Sequence, residues 1–220
     1  MPDWKLGMFD WNGTLLDDRD LMKGCLQAIF RRYELPTPSW ESFCDEVGLN
    51  FMPFYQKHGI PADTNPDDLR AIRKKFIKRR WRQAGLYSTA RTLLWACKKN
   101  SAARVIVSAE QKDLLEKCLE NFNLHDCFDA YFAQAYDKEI KIREVLNTFQ
   151  CKPEEAFYVD DIADGILAAK RVGVTSIGVA HGYNSKAKLA SSKPDYLADN
   201  LFEVIRILFK VEPLGERPWE

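Results

Sequence analysis

The sequence has neither a long hydrophobic run nor an excess of one charge. Among its 220 residues, 32 Lys and Arg balance 32 Asp and Glu, so the formal net charge is zero. A general electrostatic attraction to nucleic acid or to an anionic membrane is therefore unsupported. A transmembrane helix needs about 20 consecutive apolar residues, and no stretch approaches that length. We accordingly expect no nucleic-acid partner and no membrane partner.

Cysteine motifs, histidine clusters and targeting signals are also missing. The six cysteines form no C-x-x-C pair, which disfavours a disulfide framework or a zinc site. The three histidines lack metal-ligand spacing, and there is no P-loop or dinucleotide-binding glycine motif. The first ten residues contain no basic segment followed by an apolar one, so we expect no signal peptide and a cytoplasmic location.

Short apolar runs alternate with segments of helical periodicity over most of the chain. Continuous apolar runs are typical of strands that are buried on both faces, as in a parallel sheet. The runs predict strands at 6–9, 105–107, 128–133, 156–159, 176–180 and 195–197. The alternation therefore predicts an α/β fold, with a Rossmann-like parallel sheet and helices on both of its faces.

One stretch breaks this alternation, because its pattern is helical only from about residue 20 to residue 86. We expect a small all-helical domain at 19–86, inserted after the first strand, and a core domain at 1–18 and 87–220. The inserted stretch carries a basic run between Arg70 and Arg82. We interpret this run as the solvated face of an amphipathic helix, with an anion-binding face as the alternative.

Polar residues stand where three of the predicted strands end. Asp10, Ser108 and the pair Asp160 and Asp161 each follow an apolar run. The carboxyl ends of parallel strands lie at one edge of the sheet, and ligands bind there, so these side chains should converge. Asp10 precedes a turn at Gly13, which allows the close backbone approach that suits a nucleophile.

Four motifs, in order, resemble those of the haloacid dehalogenase superfamily and its phosphoglycolate-phosphatase-like members. The segment D-W-N-G-T at 10–14 resembles motif I, and V-I-V-S-A at 105–109 resembles motif II. Lys138 is similar to the motif III lysine, with Lys141 as the alternative, and F-Y-V-D-D at 157–161 resembles motif IV. The helical insertion matches the cap domain that such members carry between motifs I and II.

The resemblance implies a Mg²⁺-dependent hydrolase of phosphate monoesters. Asp10 would attack the phosphoryl group and form an aspartyl-phosphate. The side chain of Ser108, the N–H of Ala109 and Lys138 would bind the phosphoryl oxygens. The expected substrate is a small phosphorylated metabolite, because a closing cap excludes macromolecules.

The same resemblance implies a metal site and also shows two departures from the family pattern. Mg²⁺ would bind between Asp10, the backbone carbonyl of Asn12 and Asp161. Position 12 is Asn where phosphatases have the acid/base Asp, and an amide can neither donate nor accept that proton. We therefore expect slow turnover, unless Asp17, Asp18 or Asp20 supplies the missing carboxyl group.

Motif IV departs from the usual G-D-x-x-x-D, because Asp160 replaces the glycine and Gly165 replaces the second aspartate. We expect Asp160 and Asp164 to support the metal ligands from outside the coordination sphere. Two other functions remain open: a different reaction of the superfamily, such as phosphonate C–P cleavage or, less favoured, dehalogenation, and a catalytically impaired binding or regulatory protein. The oligomeric state is not predicted.

Overall fold

The computed structural model describes residues 3–210. Eight strands are present in that range: β1 (Leu6–Phe9), β2 (Leu16–Asp17), β3 (Gly85–Leu86), β4 (Ala103–Val107), β5 (Ala130–Phe132), β6 (Ala156–Asp160), β7 (Thr175–Val179) and β8 (Tyr196–Ala198). The ten α-helices of that range are α1 (Arg19–Arg32), α2 (Trp40–Glu46), α3 (Met52–Lys57), α4 (Pro66–Lys78), α5 (Ala90–Lys99), α6 (Lys112–Asn121), α7 (Lys138–Thr148), α8 (Ala163–Val172), α9 (Lys186–Ser191) and α10 (Leu201–Phe209). None of these described helices has the length and hydropathy of a bilayer span.

Six strands form one parallel sheet in the order β5-β4-β1-β6-β7-β8. Successive residues of β1 point to opposite faces, so Leu6 and Met8 pack with α7 and α8, whereas Phe9 packs with α5, α6 and α10. The predicted parallel sheet with helices on both faces is therefore confirmed. The chain adds strands first on one side of β1 and then on the other, which places a ligand crevice beyond the carboxyl end of β1.

Helices α1 to α4 lie between β1 and β4 in the chain and share an apolar cluster of their own. Each of two helix starts has a side-chain cap: Ser39 accepts from the N–H of Ser42, and Asn65 accepts from the N–H of Asp67. The cluster also includes Ile162 from the loop after β6, so the helical segment packs against the end of the sheet. The domain boundaries at 18/19 and 86/87 stay a prediction.

The expectation of a purely helical stretch up to residue 86 is wrong at its end. Strand β3 pairs antiparallel with β2, with Leu16 opposite Leu86 and Asp17 opposite Gly85. Each strand is two residues long, which is too short to show the alternating pattern from which strands are predicted. The pair brings both ends of the helical segment together beside the end of β1.

Candidate active site

Three neighbouring strands deliver polar side chains to one edge of the sheet. Asp10 follows β1, Ser108 follows β4, and Asp160 ends β6 with Asp161 directly after it. These four residues are all buried. The convergence follows from the central position of β1 between β4 and β6, because parallel strands bring their carboxyl ends to the same side.

Lys138 is the lysine that reaches this edge of the sheet. Its Nζ donates to Oδ1 of Asp10 at 2.6 Å and also contacts the carbonyl oxygen of Val107. Lys138 is the first residue of α7, whose start is capped by the Asp137 carboxylate accepting from the N–H of Ile140. The alternative, Lys141, pairs with Glu144 on the same helix at 2.5 Å and does not join the cluster.

Three buried carboxylates face one another around this lysine. Asp10, Asp160 and Asp161 can each offer an oxygen such that all three oxygens lie within 4.8 Å of one another. Burial and the charge of Asp10 raise the pKa of Asp160 to about 7. Burial likewise raises the pKa of Asp10, against the opposing charge of Lys138, and raises that of Asp161 well above its usual range. One lysine cannot neutralise three carboxylates, so the cluster favours a further cation, and hard oxygen donors suit Mg²⁺.

The Asp161 carboxylate is held in place by the turn after β1. Oδ1 accepts from the hydroxyl of Thr14 at 2.8 Å, and Oδ2 accepts from the N–H of Tyr183 at 2.7 Å. Gly13 has φ +76°, and a Cβ there would lie 2.2 Å from Oδ2 of Asp161. Glycine is therefore required at position 13 both for its backbone conformation and for the approach of this carboxylate.

Asp160, which we expect to support the metal ligands, lies within the carboxylate cluster. Its Oδ2 accepts from the hydroxyl of Tyr158 at 2.6 Å, and its Oδ1 accepts from the N–H of Ile162 at 2.8 Å. A Cβ at Gly165 would lie 1.9 Å from Oδ2 of Asp160. The Asp160 carboxylate thus occupies the space that a side chain at position 165 would need, so the two departures in motif IV are physically linked.

Asp164, the other expected supporting carboxylate, lies elsewhere. Its Oδ2 accepts from the backbone N–H of Leu49 at 2.8 Å, so it binds the loop between α2 and α3. Asp164 is the second residue of α8, and its side chain contacts the helical segment; its supporting role at the metal ligands stays a prediction. Its contact joins the two parts of the chain that enclose the cavity described below.

Asn12 is held by the buried carboxylate of Asp18, which we expected only as one of three possible sources of the missing carboxyl group. Its Nδ2 donates to Oδ2 of Asp18 at 2.8 Å, and the hydroxyl of Tyr183 donates to Oδ1 of Asp18 at 2.7 Å. Burial raises the pKa of Asp18 to about 6. The other two candidate acids are paired elsewhere, because Asp17 contacts Arg19 and Asp20 contacts Lys23. Tyr183 was missed, because it lies 165 positions from Asp18 and belongs to no recognisable motif.

The loop after β4 is shaped by a side-chain acceptor and a buried ion pair. The hydroxyl of Ser108 accepts from the N–H of Glu110 at 3.1 Å, and the cap position of α6 is Gln111, so Ser108 does not cap the helix. Both Glu110 carboxylate oxygens bind the Arg73 guanidinium of α4, at 3.1 and 2.8 Å. Burial alone would raise the pKa of Glu110, but Arg73 holds it below its usual value.

A cavity of about 400 Å³ opens between the sheet edge and the helical segment. Asp10, Asn12, Ser108, Ala109 and Asp160 line its sheet side. The expected nucleophile, position 12 and two of the three expected phosphoryl-binding residues therefore line one cavity, whereas Lys138 and Asp161 are not part of its lining. Arg73, which the sequence indicated only as part of a solvated basic run, also lines it, because α4 turns this one face of the run inward.

A family model, curated relatives and solved structures all relate this chain to the same family. The family model described as "Haloacid dehalogenase-like hydrolase" matches residues 8–179. A phosphoglycolate phosphatase from Vibrio parahaemolyticus is 28% identical over 94% of this chain and 96% of its own length. A 5'-nucleotidase from Pseudomonas aeruginosa is 24% identical over 91% of this chain and 94% of its own length. The structure of a haloacid dehalogenase-like family protein from Streptococcus pneumoniae superposes with a TM-score of 0.76 at 22% identity, covering 94% of this chain and 99% of that one.

Proposed function

The chain belongs to the haloacid dehalogenase-like hydrolase family, and on that premise we propose that it is a Mg²⁺-dependent phosphatase acting on a small phosphorylated molecule in the cytoplasm. The observation that carries the proposal is the 2.6 Å contact between Lys138 and Asp10 within a cluster of three buried carboxylates. A phosphatase activity also agrees with the names of the relatives, which are a phosphoglycolate phosphatase and a 5'-nucleotidase.

The carboxylate cluster fits the proposed metal. Asp10, Asp161 and the backbone carbonyl of Asn12 are the proposed ligands, and Asp160 is a fourth candidate because it belongs to the cluster. When bound, Mg²⁺ would neutralise charge on the phosphoryl oxygens as a Lewis acid. Asp161 already accepts one hydrogen bond on each oxygen, which leaves lone pairs on both oxygens for a metal.

The proposed chemistry proceeds through Asp10. A carboxylate oxygen of Asp10 bonds to phosphorus while the ester P–O bond breaks, and the departing alkoxide takes a proton from water and leaves as the alcohol. Water then attacks the aspartyl-phosphate and releases inorganic phosphate, which regenerates the carboxylate. Lys138 holds the carboxylate in place and, with Ser108 and the N–H of Ala109, binds the phosphoryl oxygens.

Slow turnover is expected because Asn12 stands where the acid and base would act. An amide cannot protonate the leaving alcohol or activate the water, and such catalysis is typically worth about 10²–10⁴-fold. The Nδ2 of Asn12 is committed to Asp18, so the Oδ1 of Asn12 is the atom left to accept a hydrogen bond from water or substrate. Asp18 itself does not line the cavity.

The other reactions of the superfamily are less well supported. Phosphonate cleavage in this superfamily needs a lysine from the helical segment to form a Schiff base. Among the described residues, the cavity lining contains Arg70 and Arg73 from that segment but no lysine. Dehalogenation does not call for the three-carboxylate cluster that this chain has.

The test is phosphate release from a panel of phosphate monoesters, measured with Mg²⁺ and with EDTA. Lys138→Met and Lys141→Met form a matched pair, because both remove a lysine from the first turn of α7. We expect activity only with the metal, a loss of about 10²-fold or more for Lys138→Met, and near-normal activity for Lys141→Met. Full activity in EDTA, or the reverse order of the two variants, would contradict the proposal.

A further inference from the structure

We propose that the substrate is the monophosphate ester of an uncharged, largely apolar alcohol, rather than of a short acid such as glycolate. The inference rests on the proposed phosphatase function and adds the class of substrate. Hydrolysis would convert the ester and water into the free alcohol and inorganic phosphate. Three properties of the cavity lead to this class: its walls, its charges and its size.

The wall opposite Asp10 is apolar and aromatic. The helical segment contributes Met22, Ile29, Phe43, Leu49, Phe51 and Leu69 to the lining. A leaving alcohol that extends from a phosphoryl group at Asp10 therefore meets hydrocarbon and ring surfaces. Burial of apolar area is the main interaction that such a wall offers, so a hydroxyl-rich or charged alcohol would lose water and find few partners along it.

The cations of the cavity are already paired with protein carboxylates. Arg73 binds both oxygens of Glu110, a residue whose side chain is 4% exposed. Arg70 pairs with Asp67 at 2.7 Å and lies over the ring of Tyr136. A second anion on the substrate would compete with these carboxylates for the two arginines, and at Arg73 it would face the buried Glu110 charge.

The cavity is also larger than a two-carbon acid requires. Its volume of about 400 Å³ lies in the range of pockets that hold drug-sized ligands, about 300–1,000 Å³. A phosphoryl group with a two-carbon acid is much smaller than such a ligand, so glycolate would leave most of the apolar wall uncovered.

A series of straight-chain alkyl phosphates tests the inference without changing leaving-group chemistry. Ethyl, butyl, hexyl and octyl phosphate are all esters of primary alcohols and differ only in apolar length. With wild-type protein and Mg²⁺, we expect kcat/KM to rise by about fourfold for each methylene until the cavity is filled. Phosphoglycolate should be a poorer substrate than ethyl phosphate, which lacks its carboxylate.

Glu110→Gln provides a second and internally controlled measurement. The variant removes the charge that occupies Arg73, so the ratio of kcat/KM for phosphoglycolate to that for ethyl phosphate should rise by about tenfold or more. Because the two substrates are compared on one protein, a general loss of stability cannot produce the change. An unchanged ratio would show that the Arg73 pair does not exclude a second anion and would overturn that part of the inference.

The possible failures are distinguishable. If no phosphate monoester is hydrolysed with any divalent metal, the proposed function fails and takes the inference with it. If esters are hydrolysed but kcat/KM is flat or falls with chain length, or if phosphoglycolate is a better substrate than ethyl phosphate, the proposed function stands and the inference alone is overturned. If phosphoglycolate is the better substrate, the Arg73 guanidinium would be the group that binds the carboxylate of the substrate.

Discussion

The close approach of Asp160 to Gly165 predicts that Gly165→Ala destabilises the wild-type protein but stabilises an Asp160→Gly variant. A Cβ at position 165 would lie 1.9 Å from Oδ2 and 2.6 Å from Cγ of Asp160, whereas real Cβ contacts almost never fall under 3.0 Å. Gly165→Ala must therefore displace the Asp160 side chain or the start of α8. In an Asp160→Gly background, the same methyl group has nothing at that place to displace.

The magnitude follows from what holds Asp160. Displacing its carboxylate weakens the bonds from the Tyr158 hydroxyl and the Ile162 N–H, each worth about 1 kcal/mol. Overpacking a well-filled site costs about 1–3 kcal/mol in itself. Replacing Gly by Ala inside a helix returns about 1 kcal/mol. We expect Gly165→Ala to destabilise the wild-type protein by about 2–4 kcal/mol and to stabilise the Asp160→Gly protein by about 1 kcal/mol.

Urea unfolding of the four proteins in EDTA measures this coupling, with the wild type, the two single variants and the double variant compared at one pH. The prediction is a coupling free energy of at least about 2 kcal/mol between the two positions. If Gly165→Ala has the same effect in both backgrounds within about 0.5 kcal/mol, the two positions do not compete for space and the reasoning is refuted. A further variant, Asp160→Gly with Gly165→Asp, should bind Mg²⁺ more tightly than Asp160→Gly alone, because it restores a third carboxylate near Asp10 and Asp161.

Two other predictions concern the charges of the site. The raised pKa values of Asp10, Asp160 and Asp161 mean that the folded protein binds more protons than the unfolded chain between about pH 4 and pH 7. The stability in EDTA should therefore fall as the pH rises through that window. Mg²⁺ should raise the melting temperature most at pH values above the window. Thermal melts at several pH values test this, and a stability that rises with pH in EDTA would contradict it. Asn12→Asp should raise kcat for esters of poor leaving groups by about tenfold or more, because the new carboxyl group would share a proton with Asp18 and gain a raised pKa. An unchanged or lower kcat on such esters would show that the missing acid is not what limits turnover.

The sheet could be predicted from the sequence, and so could the convergence of the polar residues at its strand ends. Both predictions have a physical reason. Buried parallel strands require continuous apolar runs, and their carboxyl ends must share one edge, so Asp10, Ser108 and Asp161 had to approach one another. Lys138 was preferred over Lys141 only through a resemblance. The geometry separates them because Lys138 is the first residue of α7, where its side chain can reach back to Asp10.

Contacts between distant segments could not be read in the same way. Arg73 and Glu110 lie 37 positions apart, and no motif links them. The basic run predicted a solvated face, and the sequence does not show which of its arginines face the cavity and which face solvent. The exchange of Asp and Gly between positions 160 and 165 was visible as a departure from a motif, but that both compete for one space depends on the coordinates.

The nucleophilic role of Asp10 is the central claim, and trapping of a phosphorylated protein tests it most directly. Protein with Mg²⁺ is mixed with a ³²P-labelled aryl phosphate, quenched in acid within milliseconds to seconds, and digested to locate the label. Because Asn12 should slow hydrolysis of the intermediate, we predict label on the peptide that contains Asp10 and no label on the Asp10→Asn variant. Release of phosphate by the wild type without labelled protein, together with an active Asp10→Asn variant, would contradict the account.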